Sequence, residues 1–225
     1  MARDEDKRLA ALAAAAEVLP GMVVGLGTGS TAAWLIYHLA ERVRDGLSIT
    51  AVVTSHATER AARGAGIAIL AFDDLAAIDL AIDGVDEIDD QLWAIKGAGG
   101  AMLREKIVAT AARRMIAIAD GSKRCAAIGR ASVPVEILPF ARTFALDRLK
   151  ALGAIPTLRM ANDRPFVTDQ DNLVIDCSFP ALPDPAAMAT KLAAIPGVLG
   201  HGLFLSEIDT AYIAENGQVV RIQRP

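Results

Sequence analysis

Cysteine is nearly absent from this chain of 225 residues: Cys125 and Cys177 stand far apart and without metal-ligand spacing. A disulfide framework and a cysteine-rich zinc site are therefore excluded, a reducing, cytoplasmic setting is expected, and both thiols read as core fillers. Histidine is almost as scarce. His38, His56 and His201 show no nucleophile-base spacing, and no G-x-S-x-G occurs, so serine-type hydrolysis is poorly served. Charge of one sign is also lacking: 23 Lys+Arg against 27 Asp+Glu leave a formal charge of -4. No overall positive field is available to hold a nucleic acid backbone. No run approaches the roughly eighteen apolar residues of a membrane span. The opening MARDEDKRLA mixes acids with bases and does not lead into the apolar stretch of a secretory signal.

What the chain does have is a 53% hydrophobic composition with 22% charged residues of both signs. That balance, at this length, supports one large core or two modest ones without disulfides or a structural metal. From Met22 to Ala119 short β-branched runs alternate with alanine-rich helical stretches, the pattern of a mostly parallel sheet with helices on both faces. Helices are expected over 4–19, 31–44, 57–64 and 101–113, with strands over 22–25, 49–53, 67–70, 79–82 and 115–119 and an extended run over 92–95. After Gly129 the order becomes strand (133–137), helix (141–152), strand (155–160), strand (173–177) and helix (185–194). This resembles a small α+β split βαβ domain over 130–205. Asn216-Gly217 between two extended runs predicts a hairpin that returns to the large unit, so residues 206–225 are expected to complete a Rossmann-like domain begun by 1–129.

The segment VVGLGTGST at 23–31 lies where a buried strand hands over to a helix. Gly25, Gly27 and Gly29 let the backbone approach an anion, and Ser30 and Thr31 add hydroxyl donors beside the helix N–H groups, which suits a phosphate. A nucleoside-triphosphate loop would need a lysine where Gly29 stands. Dinucleotide binding would need an acid at the end of the second strand, where Thr54-Ser55-His56 occurs instead. S-adenosylmethionine binding and a purely structural turn stay open.

The expected strand over 79–82 runs into DGVDEIDD at 83–90, which places Asp83 and Asp86 at a carboxyl edge where they are expected to face substrate. A solvated acidic loop is the alternative for Glu87, Asp89 and Asp90, and so many carboxylates also leave a divalent-metal site conceivable. Lys96 precedes Gly97, Gly99 and Gly100, where its charge can stabilise a developing oxyanion. Glu105 follows in the first turns of the next helix, and Lys123 ends the last strand of the large unit as a candidate phosphate clamp. A phosphate socket, several carboxylates and two lysines fit proton abstraction next to a carbonyl, which needs a base, a proton relay and a cation.

Together, GLGTGST (25–31), TSHATE (54–59), DGVDEID (83–89), KGAGGAMLREK (96–106), DGSK (120–123) and PVEILPFA (134–141) resemble the type A ribose-5-phosphate isomerases. TDQDNLVID (168–176) and IPGVLGHGLF (195–204) extend the resemblance over nearly the whole chain. It implies interconversion of ribose 5-phosphate and ribulose 5-phosphate through a cis-enediolate, without metal or organic cofactor. Glu105 matches the family's base, Asp83 and Asp86 its proton-transfer carboxylates, and Lys96 its cation. Ser30, Thr31 and the backbone of Gly27, Thr28 and Gly29 would hold the phosphate, with Lys123 and Lys7 assisting. Thr28, Ser55, Gly97 and Gly99 would border the sugar. The family's usual glycine after Gly97 is Ala98 here, and His56 departs from its common second-strand exit. The resemblance also implies a homodimer or homotetramer assembled through the small domain.

Overall fold

The computed structural model describes residues 2–224. The chain runs through α1 (Ala2–Ala15), β1 (Val23–Leu26), α2 (Ser30–Arg44), β2 (Thr50–Val53), α3 (His56–Gly64), β3 (Ala68–Ile69) and β4 (Leu80–Gly84). Two short strands, β5 (Glu87–Ile88) and β6 (Ala94–Ile95), lead to α4 (Met102–Ala111) and β7 (Met115–Asp120). Then follow β8 (Val133–Ile137), α5 (Arg142–Ala151), β9 (Ile155–Leu158), β10 (Met160–Ala161), β11 (Arg164–Pro165), β12 (Leu173–Ser178), α6 (Pro185–Ala193) and β13 (Val198–His201). The strands β14 (Leu203–Phe204), β15 (Thr210–Glu215) and β16 (Gln218–Gln223) close the series.

The large sheet has the order β16-β15-β7-β4-β1-β2-β3. All its pairings are parallel except the β15–β16 hairpin. Period-two alternation divides its side chains between two cores. Ile116 and Ile118 of β7 join Leu26, Leu35 and the Ala10, Ala11 and Ala14 stripe of α1 on one face. Met115, Ala117 and Ala119 join Val108, Phe204 and Ile213 on the other. Alanine's small side chain explains the otherwise puzzling alanine run: it lets α1 lie close against both α2 and the sheet.

The second sheet is antiparallel, in the order β13-β8-β12-β9, as the split βαβ pattern requires, with α5 and α6 contributing Ala145, Leu149 and Leu192 to its own core. A three-stranded ribbon, β14-β6-β5, joins the two sheets. Lys96 N donates to Gly202 O and Gly202 N to Pro134 O, so the strand leading to Lys96 is tied to the β13–β8 side of the small sheet.

Several expected elements are shorter, among them the helix over 101–113, which is Met102–Ala111, and the strand over 67–70, which is Ala68–Ile69; three others have a local reason. The first helix stops at Ala15 rather than residue 19, and the Ala15 carbonyl accepts from the Arg42 guanidinium. The run 92–95 is extended only at Ala94–Ile95, because Asp89 Oδ1 accepts from Gln91 N and Trp93 N and throws Leu92 to φ 62. The strand over 155–160 breaks at Arg159, whose side chain is used elsewhere.

Candidate active site

The carboxyl ends of β1 and β4 and the glycine segment before α4 meet over a cleft of about 230 Å³. β1 delivers Thr28 and Gly29 to the cleft, and Ser30 and Thr31 open α2 along the same wall. No side chain caps the amino end of α2, so the N–H groups of its first turn are left for a ligand. Lys7, reaching from α1, donates to Ser30 Oγ at 3.0 Å, and Lys123, in the turn after β7, lines the same wall. An anion socket with two ammonium groups results.

The opposite wall carries Asp86, Lys96, Gly97, Gly99 and Glu105. Lys96 Nζ lies 2.8 Å from Asp83 Oδ2 and 3.2 Å from Glu105 Oε2, and it also donates to the Gly84 carbonyl. The contact to Glu105 is one of charge, because Oε2 has no aligned hydrogen bond. All three side chains are at most 5% exposed. Two carboxylates thus share one ammonium in a buried environment. Burial, followed by the charge of Asp83, pushes Glu105 up to about 8, with Lys96 only partly opposing the rise. Burial raises Asp83 as well, against the pull of Lys96. For Lys96 burial acts downward, but the Asp83 and Glu105 carboxylates outweigh it and hold the ammonium charged. The site therefore keeps a fixed cation beside a carboxyl group that titrates near neutral pH, the pairing required of a base working on a carbon acid.

Several expected positions are arranged differently. Asp83 does not face the cleft beside Asp86; it stands behind Lys96, with Oδ1 accepting from Thr28 N at 3.1 Å and Gly84 N at 2.7 Å. Gly27 permits that packing, since a Cβ there would lie 1.8 Å from Asp83 Oδ1. Asp86 does line the cleft and accepts from Ala98 N at 2.9 Å. Gly97 has φ 108 and touches Met102 and Pro134 so closely that a Cβ would lie 2.6 Å from Met102 Cβ. Ser55 does not border the cleft. It caps α3 by accepting from Thr58 N, and it sits in a relay from Thr28 Oγ1 to Ser55 Oγ to Thr58 Oγ1 to Gly27 O. Thr58 carries no signal in its residue type, although its position three residues after Ser55 at a helix start is that of a shared cap. This relay, with Thr54 at 2.8 Å from Thr28, braces the glycine-rich turn from behind.

His56 turns away, to 3.5 Å from Asp169, and lines a separate, larger cavity of about 410 Å³ between α3 and α4 together with Arg63, Phe72 and Arg104. That cavity holds none of the buried Asp83, Lys96 and Glu105 group, so the chemistry is placed in the smaller cleft. His38 and His201 are buried, and burial pushes His201 down to about 4, which leaves it a neutral structural ring. Burial likewise lifts the Cys177 thiol to about 12, as befits a core filler. Glu87 binds the Gly129 and Arg130 amides, and Asp89 builds the turn before β6, so both serve structure. Among the described residues no group of three or more His, Cys, Asp and Glu is placed to hold a metal, and no helix is long and apolar enough to cross a membrane.

Comparison with known proteins agrees with this geometry. The family model described as ribose 5-phosphate isomerase A (phosphoriboisomerase A) matches residues 50–218. A ribose-5-phosphate isomerase A of Sphingopyxis alaskensis is 52% identical over 95% of this chain and 94% of its own length. One from Methanosarcina acetivorans is 46% identical over 96% and 93%. A solved D-ribose-5-phosphate isomerase in complex with phospho-erythronic acid is similar at 36% identity and TM-score 0.96, covering 100% of both chains. The Plasmodium falciparum ribose 5-phosphate isomerase follows at 34% identity and TM-score 0.94, with 98% of both chains covered. With the family model spanning most of the chain and relatives near half identical over almost all of it, this chain belongs to the ribose 5-phosphate isomerase A family.

Proposed function

We propose that the cleft interconverts D-ribose 5-phosphate and D-ribulose 5-phosphate with Glu105 as the base. The observation that carries this reading is the Glu105 carboxyl held against the Lys96 ammonium in a buried wall, opposite an anion socket at the amino end of α2. The phosphate is held by the first-turn N–H groups, Ser30 and Thr31, with Lys7 and Lys123 supplying charge. The open-chain sugar then extends toward Lys96. Ionised Glu105 takes the proton from C2, and the electron pair left behind forms the C1=C2 double bond as O1 becomes anionic. Lys96 stabilises that oxygen. Asp86, on the cleft surface, moves a proton from O2 to O1, and protonated Glu105 returns its proton to C1, leaving a carbonyl at C2. Asp83 acts through Lys96, whose ammonium it fixes and keeps charged.

No step requires a metal or organic cofactor. The reading is tested by following the interconversion directly, with ribose and allose 6-phosphate as comparison substrates. Turnover of unphosphorylated ribose as efficient as that of ribose 5-phosphate would sink the anion socket. The chain divides functionally into a catalytic unit, 1–129 with 206–225, and a small unit, 130–205, in a cytoplasmic enzyme. The small unit forms the homodimer or homotetramer contact: Phe140 is fully exposed, and Leu138 and Phe144 are more than 40% exposed beside it in sequence. Light scattering of Phe140→Ser against the unmodified protein tests this, with a lower mass expected for the variant.

A further inference from the structure

We propose that Arg159, from the small sheet, is a positioning residue of this reaction: it grips the glycine loop that carries one wall of the cleft. The inference rests on the isomerase reading above and adds a residue that never touches substrate.

Residues 97–100 are Gly-Ala-Gly-Gly, a segment with high backbone freedom that must nonetheless hold still between Lys96 and the helix bearing Glu105. One guanidinium nitrogen, Arg159 Nη1, donates to both Gly97 O at 3.0 Å and Ala98 O at 3.1 Å. The intervening Ala98 N–H points to Asp86 Oδ2 at 2.9 Å, so the loop is fastened to the small sheet through its carbonyls and to the cleft carboxylate through its amide. Asp176 in turn holds Arg159: Nε lies 2.9 Å from Oδ2, and Nη2 donates to Oδ1. This is the two-pronged pairing available to arginine and not to lysine, and it leaves Nη1 free for the loop. Phe166 completes the arrangement. Its amide donates to Arg159 O at 2.9 Å, and its ring lies so close to Gly100 that a Cβ there would be 2.3 Å from it. The break between β9 and β10 falls at Arg159, whose side chain reaches across to the loop. Loosening this contact moves Asp86 and the path to Glu105, while Ser30, Lys7 and Lys123 on the other wall stay in place.

The test compares Arg159→Met, Arg159→Lys and Asp176→Asn with the unmodified enzyme on ribose 5-phosphate. Expected for Arg159→Met is a fall in kcat of about 10- to 100-fold, the cost of a wall displaced by about an ångström. KM should change less than about threefold. Arg159→Lys should recover part of the lost kcat, and Asp176→Asn should lower kcat although the guanidinium remains. Hydrogen exchange at the Ala98 amide should quicken in Arg159→Met, a readout independent of turnover. Unchanged kcat in folded Arg159→Met overturns the inference, as does a loss confined to KM. If Arg159→Met fails to fold, full activity in both other variants overturns it. An unmodified enzyme inactive on ribose 5-phosphate would instead sink the functional reading, and Ala98 exchange would still decide whether Arg159 holds the loop.

Discussion

Replacing Glu105 with glutamine should make the protein more stable at alkaline pH while removing most of its turnover. The carboxyl is buried against Asp83 and Lys96, and its pKa stands at about 8 against an ordinary 4.5. Folding therefore raises its affinity for a proton. Stability linked to this group is complete below about pH 4.5 and drains away as pH climbs through about 8. The full gap is worth about 5 kcal/mol at 1.36 kcal/mol per pH unit, and sharing of the titration with Asp83 and Lys96 brings the expected figure to about 2–5 kcal/mol. Glutamine fills the same space and has no proton to lose. Urea denaturation of both proteins from pH 5 to pH 9 should thus show the variant gaining about 2–5 kcal/mol relative to the unmodified protein, with equal m values. Titrating groups outside the Asp83, Lys96 and Glu105 cluster are common to both proteins and cancel. At pH 8 the variant's kcat should fall by about 10² to 10⁴, with binding of a phosphorylated acid retained. A stability difference that stays constant over the whole range would refute the burial argument, and retained turnover would refute Glu105 as base.

The same ionisation sets the pH profile: kcat/KM of the unmodified enzyme should rise about tenfold from pH 6 to pH 7 and level off above pH 8, and a flat profile would show that Glu105 titrates lower. Gly27→Ala drives a Cβ into Asp83 Oδ1, so the carboxylate must leave Thr28 N and Gly84 N. A destabilisation of about 2–4 kcal/mol is expected by urea titration, with a larger relative loss of kcat. Lys7→Met should raise KM for ribose 5-phosphate about tenfold and spare most of kcat, since the lysine contacts Ser30 and not the buried Glu105 wall. Exhaustive chelation should leave activity intact; loss restored by a single added divalent metal would contradict the cofactor-free mechanism.

Those parts of the molecule that follow from local periodicity were legible in the residues alone. Met115–Asp120 reads as a strand because β-branched and small apolar residues alternate for two buried faces, and Asn216-Gly217 announces its hairpin through the left-handed backbone both residues adopt. Glu105 and Lys96 are recognisable by their motifs, but their mutual contact depends on how the glycine segment 97–100 turns α4 back from the end of β6. Asp83 was placed on the cleft because strand ends usually face ligand, and only the absence of a side chain at Gly27 explains how it retreats behind Lys96. Ser55 looked like a sugar contact because hydroxyls suit either task; its use as a cap is settled by Thr58 N, 3.0 Å away. Arg159 carried no signal at all, since the carbonyls it binds lie more than sixty residues earlier and belong to glycine and alanine.

The placement of β15 has a consequence for how the chain acquires its structure. This strand sits between β7 and β16, and α1 packs on both β15 and β16. Asp6 accepts from the Asn216 and Gly217 amides at the tip of their hairpin. A nascent chain that has emerged only as far as residue 205 exposes the bare edge of β7 and offers its opening helix only part of its seat, α2 and β7 without β15 and β16. Assembly of the large layer must then wait for a contact spanning some two hundred residues, which favours slow maturation and a need for chaperone shielding of that edge during synthesis.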